Sequence, residues 1–122
     1  MLKKCFVLVI LLFMYVASSD VLAASGVKKG KIKYVRVHEP QHGEWAPPVF
    51  WFSLEGVSSL GSCKTWHGDV LLIAEHEYFF SMVLATQARD GELAVFIDDS
   101  KIGTAGYCRA VFITTGNPPT MN

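Results

Sequence analysis

A chain of 122 residues with eleven basic and eleven acidic side chains has room for one domain and none for a second catalytic lobe. The neutral balance lacks the basic excess of a nucleic-acid protein. A hydrophobic fraction of 51% is too high for a disordered chain.

The first two dozen residues read as an export signal. Lys3 and Lys4 make a short positive start, residues 7–16 run apolar, and small side chains follow up to Ala23-Ala24. Signal peptidase accepts small side chains at the cut and two positions before it. Cleavage after Ala23 puts Val21 in the second pocket, and cleavage after Ala24 puts Leu22 there, which fits less well. Segment 1–24 is therefore assigned as a signal peptide, with Ala24 or Ser25 as the mature N-terminus. The apolar stretch is too short for a transmembrane anchor, which needs ~20 residues. Cys5 lies too early, among the wrong neighbours, to be a lipid-modified cysteine. The expected product is soluble and either secreted or periplasmic.

Loss of Lys3, Lys4 and Asp20 leaves nine basic against ten acidic side chains, a net charge of −1. Loss of Cys5 leaves Cys63 and Cys108. An even number of cysteines in an oxidising compartment predicts one disulfide between them.

Residues 25–30 open a lysine-rich run and read as a flexible, solvated N-terminal arm. Residues 32–38 alternate, with Ile32, Tyr34, Arg36 and His38 on one face, which predicts a strand. Glu39-Pro40-Gln41-His42-Gly43 breaks it, and Pro47-Pro48 ends the connection. The aromatic run at 49–54 predicts a second strand. A small-residue loop at 56–61 follows, then an extended piece from 63 to 66, a turn at 67–69, and a third strand at 70–74.

From 75 to 89 the period changes. Phe79, Met82, Val83 and Thr86 fall at helical spacing, Glu75 and Glu77 suit the start of a helix, and Gly91 suits its C-terminal cap. Residues 93–97 predict a fourth strand, 98–106 a polar loop, 107–114 a fifth strand, and 116–122 a disordered tail. The predicted domain, 31–115, is mainly β with one helix in the order β-β-β-α-β-β. Five strands in so short a chain favour a small OB-like barrel, which limits exposed edges.

The passage Phe79-Phe80-Ser81-Met82-Val83-Leu84-Ala85, then Asp90-Gly91-Glu92-Leu93-Ala94-Val95 and Gly106-Tyr107-Cys108, resembles a pattern in small exported bacterial OB-like domains. Among these are the pentamer-forming B subunits of AB-type toxins, such as that of subtilase cytotoxin. The resemblance covers residues 63–114 and aligns no sugar-binding residue. It implies an OB-like fold, export, a late cysteine paired with one before the helix, and assembly with copies of itself.

Each chemical constellation has a plainer reading. His38 and His42 straddle a proline-containing turn, His67 and Asp69 form His-x-Asp, and His76 lies near a helix start. A zinc site wants three or four converging ligands, so these read as surface histidines and no metal or other cofactor is expected. The loop Gly56-Val57-Ser58-Ser59-Leu60-Gly61 is one residue too long for Gly-x-Ser-x-Gly and lacks its strand-to-helix setting. Asp98-Asp99 reads as a solvated turn, since neighbours in a strand would point to opposite faces. The aromatics carry more. Trp45 sits in a loop stiffened by Pro47-Pro48, and Trp45, Trp66, His67 and Tyr107 are the candidate ligand contacts. The expected function is a non-catalytic binding module, carbohydrate-binding and toxin-B-subunit-like, with a glycan or protein partner and no nucleic acid. The alternative is an inhibitor or accessory subunit of an exported enzyme, and a small hydrolase stands third.

Overall fold

A computed structural model describes residues 24–116. All but the last residue of the assigned signal peptide and all but the first residue of the assigned tail lie outside the described residues. Strand β1 spans Ser25–Val37, β2 Phe50–Leu54, β3 Thr65–Trp66, β4 Asp69–Val70, β5 Leu72–Ala74, β6 Glu92–Ile102 and β7 Cys108–Thr115, with helix α1 at Glu77–Ala88 between β5 and β6. Five strands close a barrel in the order β1-β2-β5-β7-β6, and β3 and β4 form a separate two-stranded hairpin. The architecture is a small OB-like barrel with one helix, as the sequence predicts.

Three segments differ from the sequence reading. The third strand expected at 70–74 is divided, with Val70 ending β4 of the hairpin and only Leu72–Ala74 forming β5 of the barrel. Residues 25–30 are not an arm but the first half of β1. From Ser25 to Lys31 that strand pairs antiparallel with β6, and from Ile32 to Val37 it pairs with β2. Gly26, Gly30 and the exposed lysines concealed it, because they break the apolar alternation that marks a strand. Gly30 sits where the strand passes from one partner to the other. A Cβ there would lie 2.6 Å from the Glu55 carbonyl oxygen, so a side chain cannot be fitted without moving backbone. Likewise, Asp98 and Asp99 lie inside β6 rather than in a solvated turn. Asp98 accepts from the Ser100 hydroxyl (2.6 Å) and backbone N–H (2.9 Å). The Ser100 bonds, the hydroxyl first, hold its carboxyl below the usual range.

A register shift between Ile32 and Tyr34 changes the facing of β1. Ile32 is buried in the barrel core, while Tyr34 packs on the outer aromatic cluster. The sequence alternation placed both on one face; one extra residue in the strand turns them apart.

Helix α1 buries Val83 and Thr86 and rests Phe79, Phe80 and Met82 on the core. Its end departs from the expected glycine cap. Asp90 takes the left-handed conformation (φ 56°), and the Gly91 N–H reaches the Thr86 carbonyl at 3.0 Å. That six-to-one closure is a Schellman ending with aspartate where glycine is commoner. Asp90 is also held by the Lys31 ammonium at 2.9 Å, which ties the helix end to β1.

The barrel core is filled by Phe50, Phe52, Leu54, Leu72, Leu93, Val95 and Ile97, all fully buried or nearly so. Cys63 and Cys108 form a disulfide across 45 residues, with Cα atoms 5.5 Å apart and both sulfurs in this core. The bridge lies beside the weakest part of the barrel. There β5 and β7 run parallel and meet at one register position, Ile73 opposite Arg109. In the chain-entropy model a loop of this length contributes about 4 kcal/mol. Cys108→Ser should therefore lower unfolding free energy by ~2–5 kcal/mol, measured by urea denaturation, and alkylation of folded protein without reductant should label neither cysteine.

Candidate functional site

All five residues of β2 are buried. Phe50, Phe52 and Leu54 face the barrel interior, whereas Trp51 faces outward and is still only 5% exposed. A tryptophan on the outside of a barrel is buried only if something covers it. The cover is a second aromatic cluster, in which Tyr34, Trp45, Val49, Trp66 and Tyr107 pack on Trp51, Leu71 and Ile73.

Four parts of the chain deliver this cover. Tyr34 and Arg36 come from the second half of β1, where Arg36 pairs with Trp51, and His38 follows directly after it. Trp45 ends a 3-10 turn, Gly43–Trp45, that Gly43 opens at φ +61°. The β3–β4 hairpin carries Trp66. It turns through His67 and Gly68, both at positive φ as a two-residue type I′ turn requires. Asp69 ties the hairpin down by accepting from Lys33 Nζ (3.2 and 3.0 Å) and from the Tyr34 hydroxyl (3.2 Å). Tyr107 follows a second 3-10 turn, Thr104–Gly106, closed by the Gly103 N–H to the Tyr107 carbonyl at 2.8 Å.

These side chains leave an open cleft of about 170 Å³. Trp51 and Leu71 form its floor, Trp45, Trp66 and Tyr107 its walls, and Arg36 and His38 its rim. The Trp45 and Tyr107 ring centroids are 6.2 Å apart, and Trp66 stands edge-on to Trp51 at 5.3 Å. The cleft is smaller than the ~300–1,000 Å³ of a pocket that encloses a whole drug-sized ligand. It suits one ring presented from solvent.

Polar groups are few. The Arg36 guanidinium lies 4.7 Å from the Trp51 ring centroid and 5.5 Å from that of Trp66. Among the described residues no carboxylate pairs with it. Trp51 Nε1 donates to His38 Nε2 at 3.1 Å, so the His38 ring is neutral with its proton on Nδ1. His42 stacks on His38 at 4.6 Å. Burial first, then the neighbouring His42 and Arg36 charges, lower the His38 pKa from its ordinary value. The lining side chains include no carboxylate, thiol or aliphatic hydroxyl. The cleft can stack a ring and donate hydrogen bonds.

Of the four contact residues expected from the sequence, three converge. Trp45, Trp66 and Tyr107 line the cleft; His67 does not. It is exposed at the hairpin turn, with its ring against the edge of Trp66 (4.2 Å). Asp69 is occupied by Lys33 and Tyr34, and among the described residues no three His, Cys, Asp or Glu side chains converge as a metal site would need. Arg36, His38, Trp51 and Leu71 were missed as site residues. The outward alternation of Arg36 and His38, opposite a tryptophan in the next strand, was the available signal. A separate apolar cavity of about 280 Å³ lies on the other side of His38, between Pro47-Pro48 and the start of α1.

Compared with family models, curated proteins and solved structures, the chain matches none.

Two outcomes follow from this geometry. The unfolded chain's histidine titrates near 6.5 and folded His38 lower, so the unfolded state binds more protons between those values and stability falls as pH falls through them. Protonated Nε2 cannot accept from Trp51, and a pH titration of tryptophan fluorescence should show a step below pH ~6.5 that His38→Leu abolishes. Trp45 is half-buried, so Trp45→Ala should cost about 1–2 kcal/mol by thermal melting, well short of the ~3–5 kcal/mol of a core tryptophan.

Proposed function

We propose that this chain is an exported, non-catalytic binding module that recognises a glycan through the aromatic cleft. Three tryptophans and a tyrosine around a solvent-open hollow carry the reading. Sugar rings have apolar C–H faces that stack on indole and phenol, and hydroxyls that need polar partners at the rim. OB-type barrels bind oligomeric ligands on the face of their second and third strands and on the loops joining strands 1–2 and 4–5. Here those strands are β2 and β5, which supply Trp51 and the neighbouring Leu71, and those loops supply Trp45 and Tyr107. The guanidinium of Arg36, without an acidic partner among the described residues, favours a sugar bearing a carboxylate or sulfate. A nucleic acid fits less well, because the net charge supplies no broad cationic track.

A second reading, a module that docks on an exported enzyme or on copies of itself, draws on another surface. Phe96 and Phe112 stack at 4.9 Å on the outer face of β6 and β7, and Phe112 and Val111 are about two-fifths exposed.

A glycan array comparing acidic and neutral forms of the same sugars separates these readings. Trp66→Ala should weaken glycan binding by about 1–3 kcal/mol, and Arg36→Gln should remove the preference for acidic forms while leaving stacking intact. Absence of binding across the array, or affinity unchanged in Trp66→Ala, would sink the glycan reading. A monomer–oligomer shift in Phe112→Ser, seen by light scattering, would favour the second.

A further inference from the structure

Ala24, the residue just before β1, is held by side-chain and backbone contacts to Asp99. The Ala24 N–H donates to Asp99 Oδ1 at 2.9 Å, and the Ala24 carbonyl accepts from the Asp99 N–H at 2.9 Å. The other carboxylate oxygen, Oδ2, accepts from the Ser62 N–H (3.0 Å) and hydroxyl (3.1 Å). Ala24 also fits against Gly61. A Cβ on Gly61 would run into the Asp99 carboxylate and come within 2.5 Å of the Ala24 Cβ, and Gly61 has φ +47°. Two chain segments, 61–62 and 99, thus form a fitted socket around residue 24. Among the described residues no lysine, arginine or histidine pairs with Asp99.

We propose that the chain is processed between Ala23 and Ala24, and that the new α-ammonium group of Ala24 is bound by the Asp99 carboxylate. Cleavage is a hydrolysis catalysed by a peptidase of the export route. Water adds across the Ala23–Ala24 bond, the C–N bond breaks, Ala23 leaves as a carboxylate, and the Ala24 nitrogen takes a proton. The amide donor of the uncut chain becomes a cation at the same place, facing a carboxylate that has no salt-bridge partner among the described residues. A charge-assisted hydrogen bond of this kind is about twice as strong as the neutral one it replaces. Cleavage one residue later would remove both Ala24–Asp99 bonds and leave Asp99 Oδ1 without its donor. The socket therefore agrees with the cut after Ala23, which also places Val21 rather than the less suitable Leu22 in the second pocket. It also gives a role to an aspartate that the aromatic cleft does not use, so the inference stands whether or not that cleft binds a glycan.

The test uses the full 122-residue chain exported from a bacterial host. Intact mass of the soluble exported product should correspond to a chain beginning at Ala24. A main species beginning at Ser25, or one that retains residues before 24, overturns the proposal. In the product, the Ala24 amine should titrate above the ordinary α-amino range of ~7.7–8.0, read by NMR. Acylation of that amine at neutral pH should be about 3- to 10-fold slower than in Asp99→Asn, because less of it is uncharged. An amine titrating at or below the ordinary range, which needs no variant to measure, overturns the ion pair.

Discussion

The strand Phe50–Leu54 is short and buried on both sides, and much of the molecule is a response to that. Its inward residues are satisfied by closing the barrel. Its outward tryptophan can be removed from water only by bringing other elements over it, which is why β1 runs on to Val37 beside β2, why a two-stranded hairpin is inserted before β5, and why two loops end in Trp45 and Tyr107. The cleft is the part of that cover left open. Site and fold thus share one cause: a hydrophobic surface too large for the barrel to enclose, roofed by aromatics that meet edge to face and leave a hollow between them.

The parts of this arrangement that the sequence displayed are those set by local pattern. The helix was legible because Phe79, Met82, Val83 and Thr86 recur at helical spacing, and the structure puts those residues against the core. The strand at 49–54 was legible as a dense apolar run, whereas the run at 70–74 hid a division between β4 and β5 that only the pairing of Val70 with Thr65 decides. Where long-range pairing overrides local pattern, the reading failed. Residues 25–30 carry lysines and glycines because one edge and one face are solvated, yet all six positions pair with β6. Asp98 and Asp99 resemble a turn by composition, but their side chains are satisfied by Ser100 and by Ala24 and Ser62, so a strand can contain them.

The site was half legible for a similar reason. Trp45, Trp66 and Tyr107 stand out by residue type. Arg36 and His38 have no such prominence and matter only because the Arg36–Trp51 pairing sets them beside an indole. The bulge between Ile32 and Tyr34 hid the connection further. It places Tyr34 on the aromatic side and Ile32 on the core side, so a strict alternation drawn through both misassigns one of them.

The seam between β5 and β7 is the barrel's shortest. Every other junction of the barrel is a ladder of several rungs, but here a single pair of residues meets, and a covalent bridge stands alongside. Before the two thiols are oxidised, closure depends on that one rung and on packing. The barrel then has a preferred place to gape, and backbone amides flanking Ile73 and Arg109 become the first to trade hydrogen with solvent. Oxidation removes that option without adding a strand.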